Sequence, residues 1–405
     1  MENILFITST HFHNKIGSGG GKTINYYVNK FSRDYSTTVA DIGDPDNNSL
    51  RMYEQYPHVK FVLFDKKKNI LEKMRDYLLC RHIYLVLKNY IPFYYISNGF
   101  IKRRLKYLLS QIKNKDNINY VFVEMTPVIL HINVIKAFFP NAVFIASCHD
   151  VTSQSVQRWL GVSQNILFKN RYLQSFKNLE RNRLSEYDLL IPHNIKDKYF
   201  LQKELGLPEN VIHSIAPYYD TYTFNSNKPN GIIFWGNMGR AENYNAVTWF
   251  LENVWRKLKE KLNKELIFYI VGDGLTDEIK SLLSKYQDVV LTGFVDDPSI
   301  YFSKAYAMVV PLLTGAGIKI KTIEGLASGI PVISNNTGIE GIPARDNIEY
   351  LHCETANEWI SAIIRIIDDK KLRDKLIVNA KVVISEHFKL EESYIEYKNR
   401  ILCVQ

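Results

Sequence analysis

Short apolar runs alternate with longer helix-like segments along this chain, and this alternation limits the fold more than any other feature of the sequence. In the first half the runs lie at residues 3–8, 36–42, 60–64, 120–123, 143–146 and 188–191. A short run without a polar face suits a strand that is buried on both sides, and the intervening segments suit helical crossovers. The pattern predicts an α/β domain with a doubly wound, mostly parallel sheet.

The same alternation starts again after a stretch of small, polar and helix-breaking residues at 224–231. The second series of runs lies at residues 232–235, 265–271, 289–292, 307–311 and 331–334. A chain of 405 residues fits two domains of ordinary size. We therefore predict two Rossmann-like, doubly wound parallel-sheet domains facing a cleft, residues 1–225 and 231–385, followed by a C-terminal helix at 386–405. Ligands of such sheets bind beyond the carboxyl ends of the strands, so the loops there are the candidates for chemistry.

The sequence lacks the signals for export and for a membrane span. No basic segment precedes the first apolar run, and no stretch of 18 residues is both apolar and free of charge. The four cysteines are far apart and form no metal-ligand pattern. These features predict a cytoplasmic protein with reduced cysteines.

The net charge of +9 is concentrated in one part of the first domain. Residues 65–115 contain 13 Lys or Arg against three acidic residues, interleaved with eight Tyr or Phe, and Lys102, Arg103 and Arg104 lie near the end of this segment. Such a composition is typical of a surface that contacts an anionic membrane, here the inner face of the plasma membrane, or a phosphate-bearing lipid. The alternative is a pair of solvated helices with core aromatics. We expect no nucleic-acid partner.

A glycine-rich loop follows the first strand at residues 17–23. It ends like a phosphate-binding P-loop, but Ile16 stands where that motif needs glycine, which argues against nucleotide hydrolysis. Glycines such as Gly19 and Gly20, placed before a helix, allow the backbone to approach a diphosphate or a sugar at the helix N-terminus. A loop without any ligand is the alternative.

The most informative segment is residues 315–334, which is typical of a glycine loop, a helix, a glycine stop and a strand. Gly315 and Gly317 permit close approach by an anion, and Lys319 and Lys321 add positive charge at the start of the helix. The segment predicts a binding site for a diphosphate. Glu324 is placed to accept hydrogen bonds from the hydroxyls of a ribose or another sugar.

This segment resembles the donor-binding motif of the retaining glycosyltransferases of the GT-B fold, family 4 (glycosyltransferase group 1). Residues 315–324 follow the pattern of one subgroup, Gly-x-Gly-x-Arg/Lys-x-Lys-x-x-Glu. Residues 234–250, 270–274 and 291–297 resemble the preceding elements of that subgroup in order and spacing. In the first domain, the glycine loop and the sequence Cys148, His149, Asp150 after a strand fit the family as well.

The resemblance implies that the second domain binds a nucleoside diphosphate sugar, most simply a UDP- or GDP-sugar. The backbone near Phe294 and Val295 would hold the base, Glu324 the ribose, and Gly317 with Lys321 the diphosphate. The full set of implied donor-binding residues is Gly19, Gly20, Asn237, Arg240, Gly272, Phe294, Val295, Gly317, Ile318, Lys319, Lys321 and Glu324. The implied catalytic residues are His149, which would face the transferred sugar, Lys321 and Glu324.

The chain departs from the larger family at two positions. Ala316 stands where many members carry a second Glu, and Asn237 stands where an Arg often falls, with Arg240 as a substitute. Asp44 and Asp46 match the metal-binding Asp-x-Asp of the other glycosyltransferase fold, but the repeated βαβ pattern disagrees with that fold. We expect no required metal or other cofactor.

Breaking a sugar–diphosphate bond leaves negative charge on the leaving group, so donors such as Lys321 would lower the barrier. The sequence thus predicts a glycosyltransferase, and the resemblance to the family implies retention of the anomeric configuration. The acceptor would be a saccharide, a lipid-linked molecule or a protein in polysaccharide, glycolipid or glycoprotein synthesis. Two alternatives stay open. One is a catalytically silent scaffold that partners another glycosyltransferase, and the other is a nucleotide-sugar epimerase.

Overall fold

The computed structural model describes residues 2–10, 18–43, 56–64, 93–162, 169–225, 228–262, 265–283, 285–286 and 288–404. The chain divides into two units. The first comprises the described residues within 1–16, 20–215 and 391–405, and the second those within 17–19 and 216–390. The boundary between the units therefore falls after Ile215, and the polar stretch at 224–231, where the sequence predicts the linker, lies inside the second unit.

The first unit is built on a six-stranded parallel sheet with the order β3-β2-β1-β4-β5-β6. Its strands are β1 (Asn3–Thr8), β2 (Ser36–Asp41), β3 (Val59–Leu63), β4 (Tyr120–Glu124), β5 (Val143–Cys148) and β6 (Leu189–Pro192). Every residue of β4 and of β6 is buried, as expected for strands covered on both faces. The order reverses between β1 and β4, and this switch point is where ligands of such sheets bind.

Helices cover both faces of this sheet. They are α1 (Gly19–Phe31), α2 (Phe93–Ser110), α3 (Thr126–Ile129), α4 (Ile132–Lys136), α5 (Thr152–Val162), α6 (Lys169–Leu184) and α7 (Ile195–Lys203), with short 3₁₀ turns at Lys115–Asn117 and Glu209–Val211. One apolar core lies under α2 and α4, a second lies under α1, and a small third cluster lies between α5 and α6. In the second core the rings of Phe6 and Phe122, which are register partners on β1 and β4, stack at 4.5 Å.

The second unit repeats this topology. Its sheet has the order β12-β11-β10-β7-β8-β9, so its own first strand again lies between its second and fourth. The strands are β7 (Gly231–Trp235), β8 (Ile267–Val271), β9 (Val289–Gly293), β10 (Ala305–Val310), β11 (Val332–Ser334) and the short β12 (Leu351–His352), which the sequence pattern did not predict.

The helices of the second unit are α8 (Ala241–Phe250), α9 (Arg256–Lys261), α10 (Asp277–Leu283), α11 (Ser299–Phe302), α12 (Ile320–Ser328), α13 (Ala356–Asp368) and α14 (Lys370–His387). A π-helical turn, Leu251–Trp255, joins α8 to α9. Helix α12 ends at Gly329, whose φ of 83° is the left-handed conformation that terminates many helices. The core of this unit is a single apolar cluster around β7, β8 and β10.

The C-terminal helix α15 (Leu390–Leu402) belongs to the first unit from Glu391 onward. Tyr397 and Ile401 are buried in the core under α1, where Tyr397 lies 5.4 Å from both Tyr27 and Phe31, measured between ring centroids. The Glu391 carboxylate pairs with the Lys30 ammonium. The end of the chain is therefore part of the first unit's core.

The basic segment at 65–115 is described only from residue 93. Helix α2 exposes Lys102 and Arg103, but Arg104 is buried. Its guanidinium lies 4.4 Å from the ring centre of Phe64 and 4.2 Å from that of Phe100, and it donates a hydrogen bond to the Ile42 carbonyl oxygen at 2.7 Å. The prediction that Arg104 belongs to an exposed basic surface is therefore wrong, because the Arg104 side chain is buried against the two aromatic rings. Within the part of the chain that the structure describes, none of the helices combines the length and the apolar composition that a membrane span needs.

Candidate functional site

Three neighbouring strands of the first sheet bring side chains together at its carboxyl edge. Glu124 is the last residue of β4, His149 follows β5 directly, and His193 follows β6. The Glu124 carboxylate accepts a hydrogen bond from His149 Nε2 at 2.9 Å, and the two imidazole centres lie 4.7 Å apart. Glu124 and His193 are buried, whereas 12% of the His149 side chain is exposed. His149 is therefore the member of this cluster that a ligand can contact.

The inner histidine of this cluster is neutral. Burial, together with the neighbouring His149, lowers the pKa of His193 to about 3. Its Nδ1 lies 3.1 Å from the Ile215 carbonyl oxygen, which only accepts hydrogen bonds, so Nδ1 carries the proton. His193 Nε2 then accepts the hydroxyl proton of Ser147 at 3.2 Å. The Ser147 oxygen also lies 3.4 Å from His149 Nε2 and links the two rings.

The start of helix α1 lies beside His149. Gly19 and Gly20 are the first two residues of this helix. A Cβ atom at position 20 would lie 3.4 Å from His149 Nδ1 and 3.2 Å from the terminal methyl carbon of Met125. Glycine at this position therefore lets the backbone come close to the imidazole. The preceding loop, residues 11–17, and the Asp44 to Asp46 sequence lie outside the described residues.

A buried carboxylate supports the segment that follows His149. Glu180 on α6 accepts the backbone N–H groups of Thr152 at 2.8 Å and Ser153 at 2.9 Å, the first two residues of α5. Burial raises the pKa of Glu180 to about 7 in spite of these hydrogen bonds. The side chain thus caps α5 and fixes the chain immediately after His149 and Asp150.

In the second unit, backbone loops form most of the candidate donor site. Gly272 follows β8 with a φ of 138°, and a Cβ atom there would lie 1.9 Å from the Gly236 carbonyl oxygen. Glycine is required at position 272 by this contact between the loops after β7 and β8. Asn237 is exposed and accepts the Gly239 N–H at 2.8 Å, and Arg240 is also exposed, 3.7 Å from the Glu242 carboxylate.

Lys319 is held by the loop in which it lies. Its ammonium donates to the carbonyl oxygens of Gly317 and, at 3.3 Å, of Ala316, and it lies 3.5 Å from the Glu340 carboxylate. Gly317 has a φ of 70°, a conformation that favours glycine, and Ile318 packs partly against the core. Lys319 therefore stabilises the shape of the loop that precedes α12, rather than presenting a solvated charge there.

Lys321 is a charged group that its surroundings alter strongly. Its ammonium is enclosed, lies 4.4 Å from the ring centre of Phe234 and donates to the Asn243 side-chain oxygen. Asn243 in turn donates to the Asn237 carbonyl oxygen at 2.6 Å. Burial, with the positive charges of Arg240 and Lys319 nearby, lowers the pKa of Lys321 to about 7. Lys321 therefore gains a favourable partner when an anion reaches this loop.

Glu324 lies one turn further along α12 and is buried. Its carboxylate accepts the backbone N–H of Asp220 at 3.2 Å. The Asp220 carboxylate accepts the Tyr218 hydroxyl at 2.7 Å and the Tyr222 hydroxyl at 3.4 Å. The segment before β7 therefore contacts the carboxylate that the sequence predicts for a ribose.

The loop after β9 contains an exposed aromatic residue among the predicted positions. Gly293 accepts the Gly272 N–H at 3.1 Å, and this contact joins the loops after β8 and β9. Phe294 is 54% exposed, and Val295 packs partly against the core. The structure thus brings Asn237, Gly272 and Lys321 close to one carboxyl edge, and it places Phe294 on the surface.

Several of these residues escaped the sequence analysis. Glu124, Ser147 and His193 lie at strand ends without a motif that marks them as site residues, and Asn243 is a polar residue on a helix with no such signal. The one available signal for the first three is their position, because each lies at the carboxyl end of a strand in a parallel sheet. Among the described residues, no group of three or more His, Cys, Asp or Glu is placed to hold a metal ion.

A family model and one curated relative match parts of this chain. Residues 229–369 match the family model described as Glycosyl transferases group 1. A protein of Klebsiella pneumoniae, described as an uncharacterized 44.6 kDa protein in cps region, is 24% identical over 193 residues, which are 44% of this chain and 48% of that protein. This chain therefore spans about half the length of the curated relative that it matches.

Solved structures are similar over the whole chain. Sucrose-phosphate synthase from Thermosynechococcus elongatus has a TM-score of 0.69 at 15% identity, with 98% of each chain covered. HepE from Anabaena, solved in complex with UDP-glucose, has a TM-score of 0.65 at 13% identity, with 98% of this chain and 100% of HepE covered. The chain has the GT-B fold of two Rossmann-like units, and the residues that match the glycosyl transferases group 1 model lie in its second unit.

Proposed function

We propose that this protein is a glycosyltransferase that moves a sugar from a nucleoside diphosphate sugar to an acceptor hydroxyl. The observation that carries the proposal is Lys321, an enclosed ammonium at the start of α12, within the residues that match the glycosyltransferase model. The subgroup motif at 315–324, with Glu324 for the ribose, supports the same donor class.

The reaction breaks the bond between the sugar C1 and the diphosphate oxygen and forms a bond between C1 and the acceptor oxygen, which loses its proton. Negative charge grows on the departing diphosphate, and the Lys321 ammonium is the group we assign to stabilise it. With a pKa of about 7, Lys321 is partly neutral before binding, and an adjacent diphosphate favours its charged form. We propose retention of the anomeric configuration on the resemblance to the family alone.

UDP is the first nucleotide to test, because HepE, a structural neighbour, was solved with UDP-glucose. GDP is the second. The acceptor class is a saccharide, a lipid-linked molecule or a protein, and we propose a reaction that requires no metal.

The test is a thermal-shift screen of the purified protein against UDP-, GDP-, ADP-, CMP- and dTDP-sugars, with and without EDTA. A ligand at 100 times its Kd stabilises a protein by about 2.7 kcal/mol, so a bound donor shifts the Tm by a few degrees. We expect one nucleotide class to bind, with EDTA having no effect. Binding without turnover of any donor would favour a silent scaffold, and turnover of the donor to an isomeric or hydrolysed sugar without an acceptor would favour an epimerase.

A peripheral membrane contact is a second proposal, supported by the exposed Lys102, Arg103 and Lys106 on α2. Each basic residue near an anionic bilayer contributes about 1 kcal/mol to binding. Changing all three to Gln should weaken sedimentation with vesicles containing phosphatidylserine and leave neutral vesicles unaffected. Unchanged sedimentation would contradict the proposal. Arg104 stays in place in this experiment because it is buried.

A further inference from the structure

We infer that Glu124 is a positioning residue that fixes the proton of His149 on Nε2 and thereby turns Nδ1 into a hydrogen-bond acceptor for a ligand. The pair lies in the first unit, outside the residues that match the glycosyltransferase model. The assignment of a sugar hydroxyl as the ligand rests on the proposed function, whereas the assignment of the proton does not.

The geometry determines which nitrogen carries the proton. A carboxylate has no proton to donate, so the 2.9 Å contact between Glu124 Oε2 and His149 Nε2 requires a proton on Nε2. Glu124 is 3% exposed and lies at the end of an entirely buried strand. A carboxylate held in this way cannot follow a rotating imidazole, and it therefore fixes the orientation of the ring as well as its tautomer.

A second contact supports the same orientation. Ser147 gives its hydroxyl proton to His193 Nε2, because His193 Nδ1 donates to the Ile215 carbonyl oxygen. The Ser147 oxygen is then left with lone pairs toward His149 Nε2 at 3.4 Å. Both Glu124 and Ser147 thus present acceptors to the same nitrogen, and the two histidines of the cluster carry their protons on opposite nitrogens.

The other nitrogen of His149 is directed toward the start of α1. The Cβ position of Gly20 is 3.4 Å from Nδ1, and no described residue forms a hydrogen bond with this nitrogen. With the proton on Nε2, the Nδ1 of a neutral ring accepts a hydrogen bond. The partner of Nδ1 in a neutral ring must therefore be a donor. A sugar hydroxyl meets this requirement, and a phosphate oxygen does not.

The direct test is NMR of the full-length protein labelled with ¹⁵N-histidine, recorded at pH 8. Correlations from the ring carbons' protons to both nitrogens distinguish the two tautomers, and the variants His149→Gln and His193→Gln assign the signals. We expect His149 in the Nε2–H form and His193 in the Nδ1–H form. An Nδ1–H form of His149 in the unmodified protein would overturn the inference without any variant at position 124.

Substitutions at Glu124 then test the cause. Glu124→Met removes both acceptor oxygens and should convert His149 to a mixture of tautomers, whereas Glu124→Gln retains an acceptor and should preserve the Nε2–H form. The matched control is Glu349→Met, because Glu349 is a buried carboxylate of the second unit that binds Arg345. This substitution should leave the tautomer of His149 unchanged. An unchanged tautomer in Glu124→Met would contradict the role given to Glu124.

Kinetics connect the tautomer to transfer. For histidines that bind a metal, loss of the hydrogen-bond partner that orients the ring typically costs about 10- to 100-fold in activity, and we take the same range for His149. We expect Glu124→Met to lower kcat by that factor with little change in the KM for the donor, and Glu124→Gln to recover most of the rate. A changed tautomer with an unchanged kcat would show that the orientation of His149 does not matter for transfer. If the unmodified protein transfers no sugar, the proposed function fails, while the NMR result still decides the assignment of the proton.

Discussion

The two sheets have the same strand order, but the candidate sites at their carboxyl edges are formed by different kinds of residues. In the first unit, the site consists of side chains from three strands, Glu124, His149 and His193, which are far apart in sequence. In the second unit, one continuous stretch, residues 315–324, supplies both Lys321 and Glu324, and glycine loops supply the remainder. A contiguous site can be found from a motif, whereas a dispersed site is visible only in the folded chain.

The two edges also bury opposite charges. Glu180 lies beneath the first site and caps the N-terminus of α5, and Lys321 lies within the second site beside Phe234. Burial moves the pKa of each of these groups to about 7, from below for Glu180 and from above for Lys321. The carboxylate already has backbone partners, whereas the ammonium has one amide oxygen and a ring. We therefore expect Lys321 to be the group that gains most from a ligand.

The largest expected effect follows from replacing Lys321. Lys321→Met should reduce kcat/KM by about 100- to 1,000-fold, because it removes the donor that we propose for the charge on the leaving diphosphate. The free energy of unfolding at pH 7 should not fall, since an enclosed ammonium is costly to bury. Steady-state kinetics and urea unfolding measure the two quantities.

Lys375→Met is the matched control, because Lys375 is exposed on α14 of the same unit. It should leave both quantities unchanged. A parallel loss of stability and activity in Lys321→Met would instead identify Lys321 as a structural lysine and remove the difference between the two edges.

A smaller effect is expected at Glu324. Glu324→Ala should weaken donor binding by about 10- to 100-fold, the range for losing a hydrogen bond to a charged group. Titration calorimetry with the nucleotide identified in the screen measures this change. Glu260→Ala, at an exposed position on α9, serves as the control. Donor binding like that of the unmodified protein would remove Glu324 from the donor site.

In the first unit, crowding His149 should lower the rate. A valine at position 20 would contact His149 Nδ1 and Met125, so we expect Gly20→Val to reduce kcat by about tenfold through misplacement of the ring. Gly161→Val is the control, since, apart from its chain neighbours and its own helix, no residue that the structure describes has an atom within 4 Å of its Cβ position. Equal activities of the two variants would show that the backbone at Gly20 does not need to lie close to His149.

The fold was largely predictable because each buried strand is a short apolar run. Ten of the runs in the sequence pattern coincide with strands β1 to β6 and β7, β8, β9 and β10, and an eleventh contains β11, Val332–Ser334. Strand β12 has only two residues, Leu351 and His352, and so short an element leaves no periodic signal. The docking of α15 on the first unit could not be predicted either, because Tyr397 finds its partners more than 360 residues away in α1.

The candidate site was predictable where it is contiguous. The sequence indicated Lys321 and Glu324 through their spacing from the glycines, but it gave no sign that Lys321 is enclosed by Phe234 and Asn243. The sequence shows that His149 follows a strand. It does not show that Glu124, at the end of the adjacent strand, is the hydrogen-bond partner of His149. Pairing between parallel strands is long-range, and no local pattern records it.

The smallest expected effects are opposite dependences of stability on pH. Between pH 4.5 and 7 the folded protein keeps a proton on Glu180 that the unfolded chain has lost, so the free energy of unfolding falls as pH rises. Between pH 7 and 10.5 the unfolded chain keeps a proton that Lys321 has lost, so the free energy of unfolding rises with pH. Each slope is at most about 1.4 kcal/mol per pH unit.

Urea unfolding of Glu180→Gln and Lys321→Met across both pH windows measures these slopes by difference from the unmodified protein. Each variant should flatten the dependence in its own window only. A variant that changes neither slope would mean that the substituted group titrates in the folded protein as it does in the unfolded chain.

The most direct test of the proposed donor site is proton uptake on nucleotide binding. Titration calorimetry with UDP, or with the nucleotide selected by the screen, is performed at pH 8 in buffers of different ionisation enthalpy. Since Lys321 has a pKa of about 7 and a diphosphate favours its charged form, we expect uptake of close to one proton, which Lys321→Met abolishes. Two results would show that Lys321 does not contact the diphosphate. One is nucleotide binding by the unmodified protein without proton uptake, and the other is the same proton uptake in Lys321→Met as in the unmodified protein.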